Sequence, residues 1–89
     1  MSLRRLVTDP DEYVRRRALL ACAERDPLFA EQTATAWLTS EYEYSRLAAL
    51  SVLQVSRSSR LPSAIEQLRS DPSPHVRRMV AEIESGGPT

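Results

Sequence analysis

DPDEYVRRRALLA, residues 9–21, decides the fold. Asp9 offers a side-chain acceptor to the first free backbone N–H groups of a helix, and Pro10 suits the first helical position, where a missing N–H costs nothing. Glu12, three residues past that cap, can close a capping box and favours the positive end of the helix dipole. The cassette returns 62 residues later as DPSPHVRRMVAEI, residues 71–83. Midway, 31 residues after Asp9, Ser40 opens SEYEYSRLAALSV with Glu43 in the same capping-box place. The chain therefore repeats in register with a period of 31 residues. Columns away from the caps agree: Leu3 with Ala34 and Ile65, Leu6 with Trp37 and Leu68, Ala18 with Ala49 and Val80, Ala21 with Val52 and Ile83.

Between these anchors the pattern is helical throughout. Leu3, Leu6 and Val7 mark a short apolar helical face, too short to be stable unless later helices pack on it. Asp9 is expected to cap a helix over about residues 10–25 whose stripe is Val14, Ala18, Ala21 and Cys22. Asp26 and Pro27 open a second helix to about residue 38, with Phe29 or Ala30, Ala34, Trp37 and Leu38 inward. Ser40 opens the next, with Ala49, Val52 and Leu53 inward. SRSS, residues 56–59, is polar and aperiodic and reads as a loop. A helix over about residues 60–70 turns Leu61, Ile65 and Leu68 inward, tolerating Pro62 in its first turn. Asp71 is expected to cap the last helix, which presents Val76, Val80 and Ile83, before a glycine stop and a frayed tail. Each unit is a pair of antiparallel helices that cannot cover its own apolar face. The expectation is an all-α, right-handed α-solenoid of about three helical-hairpin repeats, six helices with the first one short. A single domain spans residues 1–85, with repeats at about 1–25, 26–56 and 57–85, and residues 86–89 form the tail.

Bulk properties narrow the function classes. A chain of 89 residues buries only about 60–65% of its unfolded surface, enough for one small core. No apolar run reaches the roughly 18–20 residues of a membrane span. Residues 1–7 carry two arginines and no signal-peptide core, so a cytoplasmic location is expected. The single cysteine, Cys22, can form neither an internal disulfide nor a cysteine metal site. Twelve acidic residues balance twelve basic ones, so no global field draws the chain to nucleic acid or anionic lipid. All the basic residues are arginine, a bias expected of a GC-rich genome.

The Asp-Pro-x-x-x-Val-Arg signature at residues 9–15 and 71–77 resembles the HEAT repeat, and the 31-residue period is similar to the short HEAT-like repeats of the phycobilin-lyase type. The middle cassette departs from it, with Ser40-Glu41 for Asp-Pro and Ser45 for valine, while keeping Arg46. The resemblance implies that the cassette helices line a concave face and their partners a convex one. It also implies a structural ladder, in which Arg15, Arg46 and Arg77 bond a cap aspartate, Asp9 or Asp71, or a nearby carbonyl in an adjoining repeat.

On the helical wheel Tyr13, Tyr44 and His75 form one outward column and Arg16, Leu47 and Arg78 the next, flanked by Arg17 and Met79. Together they are the expected partner-binding residues of the concave face, since aromatic and arginine side chains dominate interface hot spots. The alternative is that the tyrosines pack across neighbouring helices while the arginines are solvated. Leu19, Leu20, Leu47 and Leu50 also lie off the main stripe and favour a binding face. His75, the only histidine, lacks a paired nucleophile motif, and the only glycines, Gly86 and Gly87, make no phosphate loop. No catalytic, cofactor or metal residues are expected. The leading expectation is a non-enzymatic protein-interaction or scaffold module. Both ends of the stack read as incompletely capped, so homo-oligomerisation through them is a further expectation. Nucleic-acid-backbone binding through the arginine clusters is the alternative, and an accessory role in tetrapyrrole attachment a further one suggested only by the repeat subtype.

Overall fold

The computed structural model describes residues 3–86. The cassette helices begin later than the caps expected for them. Asp9, Ser40 and Asp71 do not cap them; each side chain instead accepts the N–H two residues on, from Asp11, Tyr42 and Ser73 respectively. These are Asx- and Ser-type turns, a local alternative to helix that short polar side chains favour. The N-caps are Asp11, Tyr42 and Ser73, so the 31-residue register survives the correction. Asp11 accepts from the N–H groups of Tyr13 and Val14, and Ser73 from those of His75 and Val76. Tyr42 makes no side-chain cap hydrogen bond. Glu12 and Glu43 consequently sit in the first turn next to the dipole's positive end and close no capping box.

Six helices follow in order: α1 (Leu3–Leu6), α2 (Glu12–Arg25), α3 (Pro27–Trp37), α4 (Glu43–Val55), α5 (Leu61–Leu68) and α6 (Pro74–Glu84), with no strand among the described residues. Asp26 caps α3 through the Phe29 N–H, with Pro27 at its first position. The turn after α4 is tighter than a plain polar loop. Arg57 and Ser58 donate back to the carbonyls of Gln54 and Leu53, a Schellman closure that places Arg57 at φ 52°. An L-residue held there forfeits about 1–2 kcal/mol. The glycine after α6, Gly86, takes φ 89° and bonds the Ile83 carbonyl. The expected frayed tail falls on residues 87–89, outside the described residues.

α4 is the hub, packed against α2, α3, α5 and α6. Ala49, Leu50, Val52 and Leu53 are all sealed from solvent on it, and burial of a leucine of this kind contributes about 1.5–3 kcal/mol. Val7, Ala18, Leu19, Cys22, Ala30, Ala34, Leu38, Ala64, Leu68, Val76 and Val80 complete one continuous core. Leu19 and Leu50 are therefore core residues, contrary to their reading as surplus surface, and Leu47 is half-buried against the same core. A helix with neighbours on several sides buries a wider arc than a two-turn stripe, so the wheel drew the stripe too narrow. Of that group only Leu20 is exposed. Trp37 and Phe29 are half-buried against the core, as are Leu61, Ile65 and Ile83. On the last helix Val80 is buried and Ile83 half-buried, while Ala81 and Glu84 are exposed.

Candidate functional site

The arginine column is uniform in one bond. Arg15, Arg46 and Arg77 each donate from Nη1 to the carbonyl six residues earlier, Asp9, Ser40 and Asp71, at 2.9, 2.8 and 2.6 Å. The acceptor lies in the same repeat, at the turn that precedes the helix. What differs is the other side of each guanidinium. Arg46 pairs with Asp71 of the following repeat: Nη2 donates to Oδ1 at 3.0 Å, and Nε lies 2.8 Å from Oδ2 without hydrogen-bond geometry. Both side chains are close to sealed, and the planar guanidinium reaches the Ser40 carbonyl and the carboxylate at once, which lysine would not do as well. Arg15, whose opposite number at the next turn is Ser40, lies instead over the Tyr42 ring at 5.2 Å.

The outward columns converge at α2 and α4. Arg16 lies between two rings, 5.9 Å from the centroid of Tyr13 and 5.7 Å from that of Tyr44. Arg17 donates to the Tyr13 hydroxyl at 2.9 Å and also faces its ring at 5.6 Å. Tyr13 and Tyr44 nonetheless keep 57% and 53% of their surface exposed. With Asp11 and Glu12 they line a cleft of about 440 Å³. Glu12 Oε1 and Arg16 Nε are shielded from water there without a hydrogen-bond partner among the described residues. Leaving such atoms unpaired is costly.

The remaining expected residues are spread out. Leu47 and Met79 pack half-buried against the core. His75 is exposed, its Nε2 4.0 Å from Glu43 Oε1, and Glu43 accepts the Ser73 hydroxyl proton at 2.5 Å. Arg78 is exposed and unpartnered among the described residues. Sequence reasoning missed Asp11 and Glu12 as cleft residues because it assigned them only to the helix start. Their signal was the spacing that sets Glu12 one turn from Arg16.

Chemistry elsewhere is sparse. Burial pushes the Cys22 thiol above its usual range, with Asp26 adding to the effect, so it is a poor nucleophile. Hydrogen bonding from Arg4 holds the Asp26 carboxyl below the usual carboxylate range. No group of three or more His, Cys, Asp or Glu is placed to hold a metal ion among the described residues. No helix among them is long and apolar enough to cross a membrane.

Fold and cleft together define an all-α, repeat-like protein of six helices that carries an aromatic–arginine surface. No protein-family model, curated protein or solved structure matches the chain.

Proposed function

We propose that this chain is a non-enzymatic interaction module: HEAT-like hairpins stacked into a right-handed α-solenoid that grips a protein segment along the concave face of α2, α4 and α6. The observation that carries this reading is the pair of half-exposed tyrosines either side of Arg16 at the mouth of the cleft. Rigid amphipathic rings with an arginine already fixed between them offer large contact area at little entropic cost on binding. Charge gives the segment a direction. Asp11 and Glu12 outnumber Arg16 in the cleft, so a basic side chain is favoured there. Arg78 and, when protonated, His75 favour an acidic one at the third repeat.

Nucleic-acid binding is the weaker reading. Arg15 and Arg77 already donate to carbonyls, Arg15 and Arg16 face tyrosine rings, and the net charge is zero. Few guanidinium groups remain for phosphates.

The test is a random peptide library displayed on phage, with amide chemical-shift mapping of the enriched peptides. Shifts gathered on Tyr13, Arg16, Tyr44 and Arg78, and binding lost in a Tyr13→Ala, Tyr44→Ala variant of unchanged Tm, are the expected result. Shifts on Leu28 and Phe29 instead, or no enrichment beside salt-sensitive binding of a DNA duplex, would overturn the reading.

A further inference from the structure

The 31-residue register lets the outer face of the first repeat be compared with the outer face of the third. Along two columns of the register, Leu19 and Leu50 are buried while their counterpart Ala81 is exposed, and Cys22 and Leu53 are buried while Glu84 is exposed. Ser45, Ala48 and Val52 of α4 are buried. Their first-repeat counterparts Val14, Arg17 and Ala21 line an open groove of about 370 Å³ with Leu6, Tyr13 and Ala18.

Among the contacts that join repeats within the chain are Arg46 with Asp71 and Arg16 with the Tyr44 ring. Carried forward along the register, the arginines become Arg77 and Arg78, both exposed on the third repeat. Carried back, their acceptors become Asp9 and Tyr13, both on the first. Arg77 engages the Asp71 carbonyl through Nη1, as Arg46 engages that of Ser40. That leaves Nε and Nη2, the two atoms that Arg46 turns towards its carboxylate. The remaining departures are opposite in sign. Where the inner repeat has Leu53 the third has Glu84, and where it has Ala48 the first has Arg17.

We propose that copies of this chain associate head to tail, the third repeat of one docking on α1 and α2 of the next in the register that relates repeats within a chain. Arg77 then meets Asp9, Arg78 covers Tyr13, and Ala81 and Glu84 face the groove that holds Arg17. The contact is heterologous, so each copy keeps a free head and a free tail, and the assembly extends rather than closing at two. Its charged components weaken as salt rises.

The test is sedimentation velocity over a range of concentrations with the wild-type chain and two blocked variants, Ala21→Arg at the head groove and Ala81→Arg at the tail. Both positions lie outside the proposed partner-binding residues, and circular dichroism checks that each variant folds. Should Ala21→Arg unfold, Asp9→Arg serves as the head block. The expected result is a wild-type mass that rises past the dimer without a plateau, and association of each variant weakened about tenfold or more. A mixture of the two variants then forms dimers and nothing larger, since one intact tail meets one intact head. A wild-type chain that stays monomeric, a dimer plateau, or a mixture that stays monomeric would overturn the proposal.

Discussion

The junction between the first and second repeats and that between the second and third stand in the same places of the register but are held by different chemistry. At the first, Arg15 and Arg16 lie over the rings of Tyr42 and Tyr44, and the tyrosines remain largely exposed. At the second, Arg46 and Asp71 form a hydrogen-bonded ion pair largely shut away from solvent, and the Ser73 hydroxyl donates to Glu43. Four pairs of positions account for the difference: Ser40 against Asp71, Tyr42 against Ser73, Arg16 against Leu47 and Tyr44 against His75. The bond from each arginine to the carbonyl six residues back is common to both. That bond fixes the guanidinium before any partner is chosen, so the partner can be an anion or a ring. Backbone geometry is the shared device, and the side-chain pairing across repeats is free to vary.

The largest test breaks the charged junction. Asp71→Ala strands a nearly buried guanidinium and removes the turn bond to the Ser73 N–H, a loss expected at about 3–5 kcal/mol. A urea midpoint lowered at unchanged m would report it. Combining Asp71→Ala with Arg46→Met should recover much of the loss, because no charge is then left without a partner. A fall of under about 1 kcal/mol for the single change would mean that the pair contributes little.

Converting one junction into the other sharpens the comparison. Ser40→Asp keeps the acceptor for the Tyr42 N–H and offers Arg15 the anion that Arg46 has. It is expected to stabilise the chain by about 1 kcal/mol, or roughly 4–8 °C in Tm. An unchanged or lower Tm would show that the two junctions differ in backbone spacing as well as in side chains. In the other direction, Tyr42→Ala removes the ring under Arg15 and should cost about 0.5–1 kcal/mol by thermal melting.

The smallest effect concerns α1. Arg4 pairs with Asp26 and lies 4.6 Å from the Phe29 ring centroid, so one side chain ties α1 to the start of α3. Because the folded Asp26 carboxyl is held below its ordinary value, its contribution is present above that value and is lost as pH falls through the depressed one. Amide exchange in α1 should accelerate in that acid range, and Asp26→Asn should abolish the dependence.

The sequence made the helices and their register legible because both follow from apolar spacing and punctuation repeated three times. The all-α expectation, with six helices and a short first one, agrees with the structure. The helix starts were misread because DPDE contains two aspartates able to cap, and only three-dimensional geometry shows Asp9 spent on the turn and Asp11 on the helix. Leu19 and Leu50 were misplaced because a single-helix wheel does not know how many neighbours the helix has. The aromatic–arginine grouping could be read from wheel positions, but the part played by Asp11 and Glu12 depended on α2 and α4 lying side by side.

The one cysteine has an experimental consequence. Cys22 sits within the core that α2 shares with α3 and α4, protonated and out of reach of solvent. A thiol reagent can modify it only when α2 lifts away, so its labelling rate is a clock for that opening. With a single thiol in the chain, each labelling event reports the same place. Comparing that rate with global unfolding would show whether the first repeat comes apart by itself or only when the whole chain does.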